Sequence, residues 1–264
     1  MLYNANNGVV LDTEYIRFGT GKNVLVMIPG LGDGLRSMKG TAFPMALMYR
    51  MFAKDYTVYA FGRKMHLPAG YTTRDMARDL YEAMEALEIV RADIFGVSMG
   101  GMIAQYFAID YPEKVGKLIL TVTSAKPNPI LVESIEEWVG CAKRNDHRAL
   151  MDSNLKRIYS DKYYRQNKWM IPLIGVLTKP KSYGRFYIQA DACLKHNAYD
   201  ELHHIQAPTL VVGGEQDLSL GGDASREIAA VIPNAQLHMY PHWGHGLYEE
   251  AGDFNGLILN FLKK

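Results

Sequence analysis

Short runs of apolar residues alternate with longer amphipathic segments along most of the chain. Six of these runs have the length and the β-branched content of buried strands. They are Asn23–Ile28, Tyr56–Phe61, Ala92–Val97, Lys117–Thr123, Thr209–Val212 and, more weakly, Gln236–Tyr240. Continuous apolar runs, rather than strict alternation, are expected of parallel strands that are buried on both faces. The pattern therefore predicts an α/β fold, with a parallel sheet and helices packed on its faces.

Several of the segments between these runs have helical periodicity. In Arg74–Leu87, apolar side chains recur at steps of three and four residues, which places them on one face of a helix. The hydroxyl of Thr72 or Thr73 can cap the start of this helix by accepting a hydrogen bond from a free backbone N–H. Two further helices are predicted, over Met99–Tyr111 and around Leu257–Leu262.

The alternation stops between residues 127 and 199, where no buried-strand run occurs. This stretch is rich in charged residues and large aromatic residues. Because roughly seventy unstructured residues are improbable inside a compact domain, we predict a helical insertion over residues 127–199. The core is then formed by residues 1–126 and 200–264, and Gly8–Phe18 is predicted to be a hairpin at the sheet edge.

Composition narrows the classes of function. The 264 residues carry a formal net charge of +1, with no basic run longer than a pair, which argues against a nucleic-acid-binding protein. The two cysteines, Cys141 and Cys193, do not suggest a disulfide scaffold or a zinc site. The amino terminus lacks the features of a signal peptide, and no apolar stretch is long enough to span a bilayer. We therefore expect a cytoplasmic protein without a membrane partner; the sequence leaves its oligomeric state open.

The strongest chemical signal is the motif Gly-x-Ser-x-Gly at residues 96–100, between a predicted strand and a predicted helix. A serine in such a turn is held in strained backbone geometry, and the flanking glycines allow close approach to neighbouring segments. We predict that Ser98 is a nucleophile. The backbone N–H of Met99, at the start of the helix, can then donate to an oxyanion.

A serine nucleophile needs a base, usually histidine, and a carboxylate that orients the base. His245 is the preferred base because it follows the last predicted strand and has a glycine on either side; His242 is the competitor. Asp217 is the preferred acid because it lies on a short glycine-rich loop after a strand. Glu215 and Asp223 are its rivals.

A second glycine-rich loop, at residues 29–34, follows the first long predicted strand. Its spacing matches neither a dinucleotide-binding fingerprint nor a phosphate-binding Walker loop. We expect instead that a backbone N–H of this loop, that of Leu31, forms the second half of an oxyanion hole.

Together these residues resemble the α/β-hydrolase family, in which nucleophile, acid and base occur in the order Ser98, Asp217, His245. The resemblance covers nearly the whole chain except the insertion, which lies where the family carries a helical cap. It implies an eight-stranded, mostly parallel sheet, an acyl-enzyme mechanism and no cofactor or metal. Pro29 departs from the family's pattern, since many members have a histidine at that position.

The expected activity is hydrolysis of carboxylic esters of small, apolar substrates. Lactonases, thioesterases and carbon–carbon bond hydrolases use the same arrangement and stay open as alternatives, and so does a receptor-like protein that binds a ligand without cleaving it. The substrate pocket is predicted to be lined by large aromatic residues. They are Trp138 and Trp169 of the insertion, and Trp243 of the loop that carries His245.

Overall fold

Eight strands form one sheet at the centre of the molecule. The computed structural model describes residues 2–264. The strands are β1 (Asn6–Val10), β2 (Thr13–Phe18), β3 (Asn23–Ile28), β4 (Tyr56–Lys64), β5 (Ala92–Val97), β6 (Val115–Thr121), β7 (Thr209–Gly214) and β8 (Gln236–Tyr240). Their order across the sheet is β1-β2-β4-β3-β5-β6-β7-β8. The pairs β1–β2 and β2–β4 are antiparallel and all others are parallel, which confirms the predicted fold class.

Eleven α-helices connect and cover the strands in the described part of the chain. They are α1 (Ala42–Met48), α2 (Thr73–Ala86), α3 (Met99–Asp110), α4 (Pro129–Lys143), α5 (His147–Ile158), α6 (Asp161–Asn167), α7 (Ile171–Leu177), α8 (Gly184–Leu194), α9 (Asp223–Val231), α10 (Leu247–Glu250) and α11 (Phe254–Lys263). Helices α4–α8 lie between β6 and β7, in the stretch for which the sequence predicts an insertion. No helix within residues 2–264 has both the length and the apolar character needed to cross a bilayer.

The strand boundaries differ from the predicted ones where pairing partners decide them. Strand β4 runs three residues beyond the predicted end at Phe61, because Lys64 pairs with Thr13 of β2. Strand β6 begins earlier than predicted because Val115 pairs with Ala92, and it ends at Thr121 because Val122 adopts a positive φ of 42°. These pairings connect residues far apart in sequence, so hydropathy alone does not predict them.

Helix α2 shows how a local signal and packing combine. The Thr72 hydroxyl accepts a hydrogen bond from the Asp75 N–H, and the Asp75 carboxylate accepts one from the Thr72 N–H, which forms a capping box. Met76, Leu80 and Met84, at steps of four residues, are buried in the core between this helix and the sheet. Burial of each such side chain contributes on the order of 2 kcal/mol to the free energy of unfolding.

A buried histidine joins helix α2 to helix α3. His196 Nδ1 lies 2.9 Å from the Thr73 hydroxyl, and its Nε2 lies 3.3 Å from Gln105 Oε1. The Gln105 amide nitrogen donates to the Ser124 carbonyl, so its oxygen faces the ring and can only accept. His196 therefore carries its proton on Nε2 and is neutral, and burial lowers its pKa to about 3.

We expect this histidine to make the protein sensitive to acid. The unfolded chain binds a proton at His196 below a pH of about 6.5. In the folded protein, His196 binds a proton only when the pH approaches its pKa of about 3. The contribution of neutral His196 to the free energy of unfolding is therefore complete above the unfolded pKa and is lost as the pH falls. The free energy of unfolding, measured with urea, should fall between about pH 7 and about pH 5 in wild type. It should fall by about 2 kcal/mol less in His196→Gln. Equal losses in the two proteins would contradict this account.

Candidate active site

Ser98 occupies a strained turn between β5 and α3. Its backbone has φ 55° and ψ −123°, a left-handed conformation that is uncommon for any residue with a side chain. The Ser98 N–H donates to the Thr121 carbonyl at 2.9 Å, and the Thr123 hydroxyl donates to the Ser98 carbonyl at 2.7 Å. These bonds to the end of β6 hold the strained conformation, and strain of this kind is typical of functional turns.

The two glycines of the motif are required by close backbone contacts. A Cβ at Gly96 would lie 2.5 Å from the Gly100 carbonyl oxygen, and one at Gly100 would lie 1.9 Å from the Ile28 carbonyl oxygen. Both distances are far shorter than a van der Waals contact. The turn that carries Ser98 can therefore close on the start of α3 only with glycine at position 96, and it fits against the end of β3 only with glycine at position 100.

His245 and Asp217 form a buried hydrogen-bonded pair. His245 Nδ1 lies 2.8 Å from Asp217 Oδ2, and the side chains of both residues are almost fully buried. The other carboxylate oxygen, Oδ1, accepts hydrogen bonds from the N–H groups of Ser219 and Leu220 at 2.8 and 2.9 Å. Because a carboxylate can only accept, Nδ1 carries the ring proton and Nε2 is left as the basic nitrogen.

The competing residues are placed elsewhere. Glu215 forms an ion pair with Arg226, and the Asp223 side chain is 95% exposed on the first turn of α9. His242 is exposed on the loop after β8. None of the three takes part in the buried pair, and the described structure thus pairs the preferred acid with the preferred base.

The three predicted residues share the carboxyl edge of the sheet. Ser98 follows β5, Asp217 follows β7 and His245 follows β8, and β6 lies between the first two of these strands. Within residues 2–264 no hydrogen bond joins the Ser98 hydroxyl to His245. Such bonds are often long in unliganded enzymes and shorten when substrate binds.

Two backbone N–H groups close to Ser98 are available as donors. Met99 is the first residue of α3, so its N–H has no partner within the helix. The loop at residues 29–34 approaches the serine closely, since a Cβ at Gly30 would lie 3.2 Å from Ser98 Cβ and 3.7 Å from its Oγ. Within residues 2–264 the N–H of Leu31, the next residue, donates to no other group. Both predicted donors can therefore serve an incoming oxyanion.

A buried charged cluster, which the sequence does not predict, supports the same loop. The Asp33 carboxylate accepts hydrogen bonds from Arg185 at 2.9 Å and from Gln189 at 3.1 Å, both on α8, and from the Arg63 N–H at 3.3 Å. The Arg63 guanidinium donates to the Pro29 carbonyl. Burial lowers the pKa of Arg63, and the Asp33 carboxylate opposes that shift. A charged residue within a glycine-rich loop is the one sequence signal that points to this cluster.

A second contact joins the helical segment to the loop of the base. The Gly246 N–H donates to the Ile158 carbonyl at 2.6 Å, at the end of α5. Glu250 accepts from both the N–H and the hydroxyl of Ser160, which begins α6, at 2.9 and 2.6 Å. The helices between β6 and β7 are thus attached next to His245 as well as to the loop at residues 29–34.

The three tryptophans lie in different surroundings. Trp138 is buried within the helical segment and donates to the Ser153 hydroxyl at 3.1 Å. Trp243 is half-buried and packs against the core on the α11 face of the sheet, and Trp169 is 73% exposed. Their role in a substrate pocket stays a prediction.

Comparison with known proteins places the chain in a family. Residues 23–252 match the model of the alpha/beta hydrolase fold family. The chain is 29% identical to a 2-hydroxy-6-oxononadienedioate/2-hydroxy-6-oxononatrienedioate hydrolase from Paraburkholderia phymatum, over 97% of this chain and 92% of the relative. It is 32% identical to a 2-hydroxy-6-oxo-6-phenylhexa-2,4-dienoate hydrolase from Burkholderia cepacia, over 70% of this chain and 68% of the relative.

Solved structures agree with this assignment at the level of the fold. The enol-lactonase from Burkholderia xenovorans superposes with a TM-score of 0.80 at 22% identity, covering 98% of this chain and 100% of that one. The family model spans most of the chain, and the relatives that match along nearly its whole length are hydrolases. The protein is a hydrolase, and it belongs to the α/β-hydrolase fold family.

Proposed function

We propose that this hydrolase cleaves carboxylic esters of small, apolar substrates through an acyl-enzyme intermediate, with Ser98 as nucleophile, His245 as base and Asp217 as the orienting acid. The observation that carries the proposal is the buried His245–Asp217 hydrogen bond at the same sheet edge as the strained Ser98 turn. This pairing fixes the proton on Nδ1 of His245 and leaves Nε2 free to accept a proton from the serine.

In the first half of the reaction, Ser98 Oγ attacks the ester carbonyl while His245 Nε2 takes the hydroxyl proton. Asp217 stabilises the resulting imidazolium and keeps its own charge. The tetrahedral intermediate collapses as the carbon–oxygen bond to the leaving group breaks, and His245 protonates the departing alcohol. In the second half, His245 deprotonates a water molecule that attacks the acyl-serine, and the acid product and free Ser98 are released.

The developing oxyanion is stabilised by the N–H groups of Leu31 and Met99. One such donor typically contributes about 3 kcal/mol to stabilisation of the transition state. The hydrogen bonds of Arg63 and Asp33 hold the loop that presents Leu31.

We further propose that residues 127–199 act as a cap that encloses the substrate over this edge of the sheet, where ligands of open α/β sheets commonly bind.

The second candidate is hydrolysis of a carbon–carbon bond next to a ketone, with the same three residues. It is favoured by the relatives from Paraburkholderia phymatum and Burkholderia cepacia, whose names denote hydrolases of 2-hydroxy-6-oxo-dienoates. Those substrates carry at least one carboxylate, which a buried cation would recognise. Near the site, Arg185 is paired with the Asp33 carboxylate, whereas the Arg63 guanidinium donates to the Pro29 carbonyl and its Nε and Nη1 have no partner within residues 2–264. The neutral ester is the first choice because it demands no charged partner in the pocket.

A direct comparison of substrates tests the proposal. Initial rates are measured with p-nitrophenyl acetate, butyrate and octanoate, and with 2-hydroxy-6-oxo-6-phenylhexa-2,4-dienoate, for wild type beside Ser98→Ala. A fluorophosphonate probe and mass spectrometry identify the labelled serine. We expect label on Ser98 and a higher kcat/KM for at least one ester than for the dienoate.

The outcomes separate the candidates. A higher kcat/KM for the dienoate, with the same dependence on Ser98, would replace ester cleavage by carbon–carbon bond cleavage. Labelling of Ser98 with turnover of neither class would restrict the activity to lactones or thioesters. A folded protein that is neither labelled nor active would contradict the proposal and favour the ligand-binding alternative.

A further inference from the structure

Helix α7 and the turn before it expose a continuous apolar stripe. Trp169, Leu173, Val176 and Leu177 are 73%, 59%, 75% and 72% exposed, respectively. Their spacing of four, three and one residues places them on one face of the helix. We call these four residues the exposed stripe.

The opposite face of α7 is already covered by protein. Ile171 and Gly175, four residues apart, are buried. A Cβ at Gly175 would lie 3.0 Å from the Cα of Arg148, so α7 packs tightly on α5. A helix that is apolar on both faces is normally covered on both faces. The exposed stripe therefore indicates a surface that contacts something beyond this chain.

Charge around the stripe indicates what that contact is. Residues 161–181 contain five basic side chains and one acidic side chain, a net charge of +4 in a chain whose total is +1. The one acid, Asp161, is paired with Arg165 at 2.8 Å. Within residues 2–264 the four lysines of this segment have no carboxylate partner; they are Lys162, Lys168, Lys179 and Lys181.

We propose that the exposed stripe and these four lysines form a docking surface for an anionic lipid bilayer. A surface helix with tryptophan and aliphatic residues on one side and lysines at its margins is typical of peripheral attachment to a membrane. The lysines contribute attraction to anionic headgroups, and the stripe inserts at the boundary between headgroups and acyl chains. Such attachment needs no helix that crosses the bilayer, so it differs from the sequence expectation that the protein has no membrane partner.

A second copy of the chain fits this surface poorly. A twofold contact would bring the same patch from two molecules together and would place the two sets of unpaired lysines face to face. Like charges at such a contact oppose association. The anionic bilayer supplies both the apolar and the negatively charged environment that the surface lacks.

The position of the surface connects it to the active site. Ser160, at the start of α6, donates two hydrogen bonds to the carboxylate of Glu250, which lies five residues after His245. The exposed stripe is itself part of residues 127–199, the proposed cap, so a bilayer in contact with it would lie against the cap. The docking surface itself does not depend on the proposed ester hydrolysis.

Vesicle sedimentation with the Ser98→Ala protein tests docking separately from catalysis. Vesicles of phosphatidylcholine mixed with phosphatidylglycerol are compared with vesicles of phosphatidylcholine alone, at low and at high salt. We expect binding to the mixed vesicles that weakens as salt rises. Replacing all four stripe residues with serine should lower the partition coefficient more than tenfold, and each lysine-to-glutamine change should lower it about fivefold.

Matched controls lie at the opposite edge of the sheet. Val90, which is 78% exposed, and Lys22 precede strands β5 and β3, so Val90→Ser and Lys22→Gln should leave binding unchanged. Fluorescence gives a second measurement, because Trp169 is the exposed one of three tryptophans. Its emission should shift to shorter wavelength with mixed vesicles, and Trp169→Phe should abolish the shift.

Four results would overturn the proposal. The first is no sedimentation with mixed vesicles at low salt. The second is binding that the four-serine variant retains in full, which would place the contact elsewhere. The third is a dimer in solution that the four-serine variant dissociates, which would assign the surface to a second copy of the chain. The fourth is binding to soluble polyglutamate without binding to vesicles, which would assign the surface to an acidic protein partner.

Discussion

Replacing Ser98 with alanine is expected to reduce kcat for the best ester substrate by about a million-fold. The change removes the attacking oxygen, so no acyl-enzyme can form, while the N–H donors of Leu31 and Met99 are backbone groups and stay in place. The fold should persist, because alanine leaves the strained backbone held by the Thr121 and Thr123 hydrogen bonds. Rates of p-nitrophenyl ester hydrolysis and circular dichroism spectra of both proteins provide the measurement.

The matched control is Thr123→Val. It deletes the hydroxyl that donates to the Ser98 carbonyl but keeps the nucleophile. We expect this variant to lose far less activity than Ser98→Ala and to label fully with a fluorophosphonate. Residual activity of Ser98→Ala close to wild type would exclude Ser98 as the nucleophile.

The second large effect is expected from Asp217→Asn, which should reduce kcat by about ten-thousand-fold. An asparagine at this position can turn its amide nitrogen toward His245 and donate to Nδ1. The ring proton then moves to Nε2, where it blocks proton transfer from the serine. KM should change much less than kcat, because Asp217 is hydrogen-bonded to His245 and to two backbone N–H groups, not to substrate.

Asp223→Asn is the control for this change. The Asp223 carboxylate is almost fully exposed and lies 3.9 Å from Arg226 Nε, so its loss should leave kcat within about twofold. A large loss in Asp223→Asn with little loss in Asp217→Asn would reverse the assignment of the acid.

Sequence alone predicts the elements whose signals are local. The bounds of β3, β5 and β8 agree with the predicted runs to the residue. Strands β3 and β5 are mostly apolar, whereas β8 alternates polar and apolar residues. Thr72 caps α2 as one of the two predicted candidates. The extension of β4 through Arg63 and Lys64 is different, since it depends on the pairing of Lys64 with Thr13 of β2 and on contacts with Pro29 and Asp79, none of which is a local signal.

The candidate site likewise contains residues that local sequence signals predict and residues that only long-range packing brings together. Gly-x-Ser-x-Gly is a local motif, and the order of acid and base along the chain follows from the order of strands, so the sequence identifies the residues that the structure places at one edge. The Asp33–Arg185 ion pair joins residues 152 positions apart. Its formation depends on how α8 packs on the loop at residues 29–34, and no periodicity in either segment indicates that contact. The exposure of Trp169 is missed for a related reason, because hydropathy cannot say which apolar face of a helix will be covered.

The strand order has a consequence for the time at which activity arises during synthesis. Strands β1–β6 all lie within residues 6–121, so the part of the sheet that carries Ser98 is synthesised before the helical segment. Asp217 and His245 follow only β7 and β8, which add to one side of that sheet last. A chain that has folded only as far as β6 therefore carries Ser98 without the buried His245–Asp217 pair, which can form only after β7 and β8 have been added.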